Sequence, residues 1–539
     1  MRQFLIIVCL FLLTLTATIQ LPAQDNKLVT EAEQSMLKAT KFMVEKAATN
    51  GGYVWYYMPD FSRKWGEMEA YPTMIWLQHP GTVSIGHLFL DAYRATGNEY
   101  YYEAALKAAK AIIWGQSHEG GWNYMIDFAG DRSLKQWYNT IGKNGWRLEE
   151  FQHYYGNCTF DDDITSDAAR FLLRMYLEKM DPAFKPALDK AIDFILASQY
   201  PIGGWPQRFP LKYDFNKQGH PDYTSYYTFN DDVIWENVHF LIQCYQVLGE
   251  ERFLDPIRRG MNFYLTSQDA CGAWGYQMNL SLETAGARTY EPAAFMPAPT
   301  FTNAMLLLKF YEYTGDRKFL THVPDAINWL EATKLPANEM EGGRTHPTFV
   351  EMGTNKALYV HRKGSNVKYG YYYTDYNKEH LLGHYNGRRH VPVEELNEAY
   401  KRISALTPEE ATKDSPLKVA AFAGDSTPQK FYDLNRNTYR FSPKEADVKE
   451  IIQSLDKEGR WLSKHAMISH PFMGDGQKQE PTDEFASTNV GDETDTSPFR
   501  DPSDQEYIST GDYIRNMNLL INYVKEGKTS ERTNKPSMK

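Results

Sequence analysis

Two short stretches of this chain carry more acid than helix building needs. One reads CTFDDDITSDAARFL, with Asp161, Asp162 and Asp163 in a row. The other reads YTFNDDVIWENVHFL, with Asn230, Asp231 and Asp232. In both, Thr-Phe precedes the acids and a helix-forming run follows them. One aspartate is a preferred N-cap and suits the positive end of the helix dipole. Three acid or amide groups together exceed that need. Carboxylates brought face to face attract a hard cation such as Ca²⁺, or divide into the acid and base of a glycosidase. A third polar cluster, ETAGARTYEP, sets Arg288 in a loop with Tyr290 and Glu291, the latter close enough in sequence to orient a guanidinium. The histidines add little: His118, His220, His239 and His384 are scattered, with no HExxH spacing. No Gly-rich loop has P-loop or dinucleotide spacing.

Something must hold these clusters together. Three segments share one pattern: QSHEGGW (116–122), QYPIGGW (199–205) and QDACGAW (268–274). Each follows a stretch with apolar residues at spacings of three and four, which predicts a helix. The unit is helix, short turn, helix, then a Gly-Gly-Trp turn. Residues 300–333 give a further helix pair without the Trp turn, and 28–58 give one more helix with an NGGYVW echo. Such hairpins must bury their apolar stripes against neighbours. Closed into a ring, they predict an all-α fold, an incomplete α/α toroid of helical hairpins over residues 24–340. Matching helix starts would share one rim, so the acidic clusters would face each other across a mouth. Gly allows the backbone to leave the helix end, and Trp packs beneath the turn. Arg208 follows only one copy, and packing does not account for it.

Beyond residue 340 the texture changes to short strands, loops and short helices, predicting a C-terminal extension over 341–528 that packs on the toroid. Helices are expected at 393–406 and 512–525, an acidic loop at 474–503 and a disordered tail at 529–539.

Bulk properties narrow the partners. Net charge is −11 with no basic block, which argues against nucleic acid. Residues 1–23 read as a secretory signal: Arg2, a short apolar core, and LPA ending at Ala23. The expected location is periplasmic or extracellular, with no membrane association after cleavage. Cys158, Cys244 and Cys271 are isolated, without CxxC spacing, and their odd number excludes a fully paired framework. Aromatics make up 14% of the chain, many in loop-like runs such as GGYVWYY and GYYYTDY; exposed rings of that kind stack on sugar faces.

The blocks CTFDDDITSDAARFL, SQYPIGGWPQRFP, YTFNDDVIWENVHFLI and ARTYEP, in that order, resemble the signature blocks of polysaccharide lyase family ten, the pectate lyases with an α/α toroid. The resemblance implies calcium-assisted β-elimination of polygalacturonate, with an arginine as the Brønsted base. It implies Ca²⁺ ligands at Asp161 and Asp231, with Asp162, Asp163 or Asp232 assisting. It implies Arg288 as the base. Arg208, Trp205, Tyr290, Glu291 and Arg388 are the substrate-binding candidates, with Arg389 a second possible clamp. The partner is then an acidic polysaccharide. The chain departs from the family in reading Asp161-Asp162-Asp163 where Asp-Asn-Gly is usual, and in lacking a clean match to the family's arginine-rich C-terminal segment.

Two other classes remain open at this level. A non-catalytic glycan-binding protein, or a glycosidase-like toroid, would keep the aromatics. Terpene-cyclase toroids also use Gln-x-x-x-Gly-Gly-Trp turns and Asp-rich motifs, though a secretory signal fits them poorly.

Overall fold

The computed structural model describes residues 26–142, 149–211, 222–288, 290–363, 371–379, 381, 385–418, 443–464 and 506–534. The segments expected to be a signal (1–23) and an acidic loop (474–503) lie outside them.

The fold is an α/α toroid. Its helices are α1 (Asn26–Phe42), α2 (Thr82–Thr96), α3 (Glu99–Trp114), α4 (Asp131–Thr140), α5 (Ile164–Lys179), α6 (Lys185–Ser198), α7 (Val233–Leu248), α8 (Leu254–Thr266), α9 (Pro297–Thr314), α10 (Val323–Ala332), α11 (Val393–Ser404), the short α12 (Pro408–Ala411), α13 (Glu445–Ser454) and α14 (Thr510–Asn534). Helices α14, α2, α5 and α7 pack side by side as an inner layer, with α9 next in sequence. Their partners α13, α1, α3, α6, α8 and α10 lie outside them.

The Gly-Trp turns space the outer layer. Gly120, Gly203 and Gly272 have φ of +123°, +113° and +97°. A Cβ on each would lie 2.4 Å from Lys190 O, 2.0 Å from Arg259 O and 2.4 Å from the Asp325 carbonyl carbon. Each turn therefore nests on the backbone of the next outer helix. The repeated glutamine fixes the contact. Gln199 Nε2 donates to Gly203 O and to Pro256 O, both at 2.9 Å; Gln116 and Gln268 make the same pair of bonds. The tryptophan turns inward, with Trp122 and Trp205 donating to Ile112 O and Ile195 O. Gly203→Ala meets both a positive φ and a backbone oxygen, so urea unfolding should show a loss of about 2–3 kcal/mol. A loss below ~0.5 kcal/mol would mean the turn does not need that approach.

The echo at NGGYVW is a true copy: Gly51 has φ +90° and would place a Cβ 2.5 Å from Lys107 O in α3. A further copy lies beyond the expected repeats. After α13, Gly459 has φ +91° and approaches Lys38 O in α1, while Trp461 Nε1 donates to Ile451 O at 3.0 Å. Thus α13 and α14 form another unit of the toroid, and the expected boundary at residue 340 does not separate toroid from extension. Helix α14 is also longer than expected, reaching Asn534. The remainder of the extension is the short strands expected there, including the hairpin Ala357–Lys363 with Tyr371–Asp375, plus α11 and α12 against α9.

Charged side chains fill the middle of the inner layer. Arg170 on α5 bonds Asp167 at 2.9 Å and Glu236 on α7 at 2.8 Å. Arg174 bonds Asp91 on α2 at 2.6 Å.

Candidate functional site

Between the Gly-Trp turns and the next inner helices the chain makes short strands, and neighbouring units pair them. Cys158–Thr159 pairs with Arg208–Phe209, and Tyr227–Thr228 with Gln277–Met278. The ribbons lie at one mouth of the toroid and deliver the acidic turns.

Those turns are not helix caps. Asp161–Asp163 and Asn230–Asp232 are 3₁₀ turns before α5 and α7, and no side chain caps either helix. The last two residues of each are left-handed: Asp162 and Asp163 at φ +49° and +60°, Asp231 and Asp232 at +50° and +55°. Asp tolerates that conformation better than most residues. The repeat therefore equates Asp161 with Asn230 and Asp162 with Asp231. The first residue of each turn is buried and the second is half-buried; the third differs, Asp163 being half-buried and Asp232 exposed. Asp232 lies outside the carboxylates within 4 Å of Arg288.

Arg288 is the hub. Its Nε and Nη2 donate to the two oxygens of Glu291, each at 2.9 Å. Its Nη2 is 3.7 Å from Asp231 Oδ2, and Nη1 is 3.9 Å from Asp161 Oδ2 and 3.5 Å from Glu150 Oε1. Glu291 also accepts from the Arg288 backbone N–H and from the Tyr385 hydroxyl. Glu291 thus orients the guanidinium. Tyr290 is buried with its ring against the guanidinium, 5.4 Å from its centre, so it supports Arg288 as well. Trp205 is wholly buried and committed to Ile195 O; it packs the core and offers no face to a sugar. Arg388 pairs with Glu341 at 3.1 Å. Arg389, its neighbour on the strand, points the other way and lies over the Tyr385 ring at the site.

Arg208 differs from the other buried arginines. It lies between the rings of Tyr155 and Tyr124, at 4.4 and 5.4 Å. Among the described residues its hydrogen-bond partners are the amide oxygens of Asn123 and Asn157 at 3.4–3.5 Å, not carboxylates. A buried guanidinium with neutral partners has capacity for an anion.

The carboxylates are unequal. Burial works against the charge of Asp161, but Arg288, Tyr124 and Gln207 outweigh it and hold this carboxyl below its usual range. Tyr124 and Gln207 donate to it at 2.5 and 2.9 Å. Asp162 is pushed well up by burial, then by Asp161 and Glu67. Asp231 is pushed up by burial, then by Asp162 and Asp161, and shares a hydrogen bond with Asp161, although a third of its side chain (32%) reaches solvent. Carboxylates this close lack the ~5 Å or more that a glycosidase pair needs. Among the described residues no three His, Cys, Asp or Glu side chains gather into a complete metal cage. Asp161 and Asp231 instead share the Arg288 guanidinium, at 3.9 and 3.7 Å.

Asp162 gives a pH test. Its raised folded pKa means that its neutral form stabilises the fold at low pH, and this stability is lost as pH rises through that value. Asp162→Asn keeps the neutral state and the residue usual in the family. In chelator, its melting temperature relative to wild type should rise between pH ~5 and pH ~9, by a few degrees. A difference that stays flat or shrinks over that range counts against the shift.

Glu150, Glu67, Gln78, Tyr124 and Tyr385 stand in no motif and reach the site from separate elements. Gln78 Nε2 joins Glu67 to Asp162 at 3.0 and 2.6 Å. Gln207 could have been noticed, because it sits inside the GGWPQ block. A cavity of about 330 Å³ opens on Arg288 and Glu291, walled by Tyr226, Gly286, Tyr372 and Tyr373.

Fold and site together define a helical toroid with an acidic, arginine-centred cleft at one mouth. Residues 132–402 match the family model for pectic acid lyase, and the chain belongs to that family, with a domain of the polysaccharide-lyase type. No curated protein matches it. One similar solved structure is a mutant family 10 polysaccharide lyase from Cellvibrio cellulosa in complex with trigalaturonic acid, at 18% identity, covering 51% of this chain and 86% of that one, with TM-score 0.36. A D-mannose isomerase matches at 12% identity, covering 94% and 100%, with TM-score 0.40. A sugar epimerase from a ruminal bacterium matches at 12%, covering 93% and 99%, with TM-score 0.42. Among the described residues no helix is long and apolar enough to cross a membrane.

Proposed function

We propose that this protein is an exported pectate lyase that cleaves polygalacturonate by β-elimination, with Arg288 as the base that removes the C5 proton of a uronate. The observation that carries the reading is the convergence of Arg288 with Asp161 and Asp231, which come from repeat units far apart in sequence. Asp161 and Asp231, assisted by Asp162, would hold a Ca²⁺ ion completed by the substrate carboxylate. A calcium ion bound there supplies positive charge against that carboxylate as the C5 proton leaves.

The chain's own residues do the remainder. Glu291 fixes the plane of the guanidinium through Nε and Nη2 and leaves Nη1 for the reacting proton. Arg208 is the candidate for a second uronate carboxylate. The cavity beside Arg288 accepts the neighbouring sugar, with Tyr372 and Tyr373 as its aromatic wall. One difficulty follows from the geometry. Burial pulls the guanidinium's proton affinity down, but Glu291, Tyr290, Tyr385 and Glu150 raise it well above the ordinary value. At rest Arg288 is protonated, so a base must first be made.

Incubation with polygalacturonate should release products with the ultraviolet absorbance of a 4,5-unsaturated uronate, and chelator should abolish the signal. Reducing ends that appear without that absorbance would indicate hydrolysis and end the lyase reading.

A further inference from the structure

Two glutamates touch Arg288, and they differ in what else they touch. Both oxygens of Glu291 are saturated: they accept from Arg288 N, Nε and Nη2 and from Tyr385. That set stabilises a carboxylate. Glu150 is 5% exposed, and only Oε1 has a partner, Arg288 Nη1 at 3.5 Å. Its Oε2 is buried with no hydrogen-bond partner. An orphaned, buried carboxyl oxygen costs free energy as an anion and much less as a neutral acid. The groups that face Glu150 are Arg288, Glu67 and Asp161, with the phenols of Tyr124, Tyr138, Tyr223 and Tyr290.

We infer that Glu150 is a positioning residue for proton transfer, accepting the proton of Arg288 Nη1 so that this nitrogen can take the C5 proton of the substrate. The inference rests on the lyase reading. In the first step one N–H bond at Nη1 breaks and one O–H bond forms on Glu150, with no change in the net charge of the pair. Next the C5–H bond breaks and an N–H bond forms at Nη1. The electron pair becomes the C4=C5 double bond as the C4–O4 bond breaks. Glu150 returns its proton through solvent to O4, which restores the carboxylate beside the guanidinium. A hydrogen has moved from C5 to O4, and no oxidant or reductant is needed. Glu291 cannot take this part, because both of its oxygens are already held by donors.

The test compares wild type, Glu150→Gln and Glu150→Asp on polygalacturonate across pH ~7–10. Glu150→Gln should lower kcat by at least about a hundredfold, with KM within about threefold of wild type. Its log kcat should climb by about one per pH unit where wild type is flat, because hydroxide then has to make the base. Glu150→Asp keeps a titratable carboxyl and should retain about tenfold more kcat than Glu150→Gln. Turnover of Glu150→Gln within about threefold of wild type overturns the inference. So do equal losses in both variants with a wild-type pH profile, which mark a packing role. Wild type that yields no unsaturated product from any uronate polymer removes the lyase reading itself, whereas wild-type turnover beside an unimpaired Glu150→Gln removes only this inference.

Discussion

Arg288→Lys is expected to lose about three orders of magnitude in kcat while melting close to wild type. Lysine keeps one positive charge among Glu291, Glu150, Asp161 and Asp231, so no carboxylate is left without a counter-ion. It cannot copy the geometry. The guanidinium uses Nε and Nη2 for Glu291 and presents Nη1 on the opposite side. An ammonium that satisfies Glu291 has no second nitrogen to offer the substrate. Arg288→Ala should lose at least as much activity. It should also destabilise the fold by roughly 3–5 kcal/mol, because the buried acids then lose the cation they share. Kinetics and thermal melts of the two variants separate the roles. Arg288→Lys with turnover within about tenfold of wild type would leave Arg288 an electrostatic part only and remove it as the base.

Asp231→Asn should lower kcat/KM at least about a hundredfold and weaken calcium binding more than about tenfold, again with the fold intact. The substitution is nearly isosteric, and the new amide oxygen can still accept the bond that Asn230 Nδ2 now gives Asp231 Oδ2 at 2.7 Å. Removing one like charge beside Asp161 and Asp162 should even raise the melting temperature in chelator. What the variant loses is the anionic oxygen that faces the substrate side. Calorimetric titration with calcium, run with and without oligogalacturonate, measures this directly. Unchanged calcium affinity would place the ion elsewhere or exclude it from the reaction.

Much of the fold was legible because the repeat's chemistry is local. Gln, Gly and Trp recur at fixed offsets since one turn uses all three: Gln to bond the next helix, Gly to approach it, Trp to seal the core. The unit at Gly459 and Trp461 keeps the Gly–Trp offset but lacks the Gln and the second Gly, so the repeat is masked there. The place of α14 in the inner layer had no local sign, because its partners are α1 and α2 at the far end of the sequence. In the site, the acidic turns and Arg288 stood out as clusters. Glu150, Glu67 and Gln78 did not, because each is a single polar residue whose meaning comes from what the ring sets opposite it. Tyr290, Glu291 and Trp205 were noticed for their motifs and turned out to support the site or the core, since a motif marks a position that matters without saying which way the side chain faces.

The unit built from α13 and α14 sits beside α1, so the toroid joins the two ends of the described chain. The Thr40 and Tyr513 hydroxyls are 2.6 Å apart across 473 positions, and Thr510 bonds Val54 O across 456. Contacts of that sequence separation form late and slowly. A nascent chain can stack its middle hairpins as they emerge, but the first hairpin keeps an open flank until the last helix arrives. Until then the apolar face of α1 is exposed to whatever is near, and a chain that stops short of α14 would be an aggregation hazard rather than a smaller enzyme.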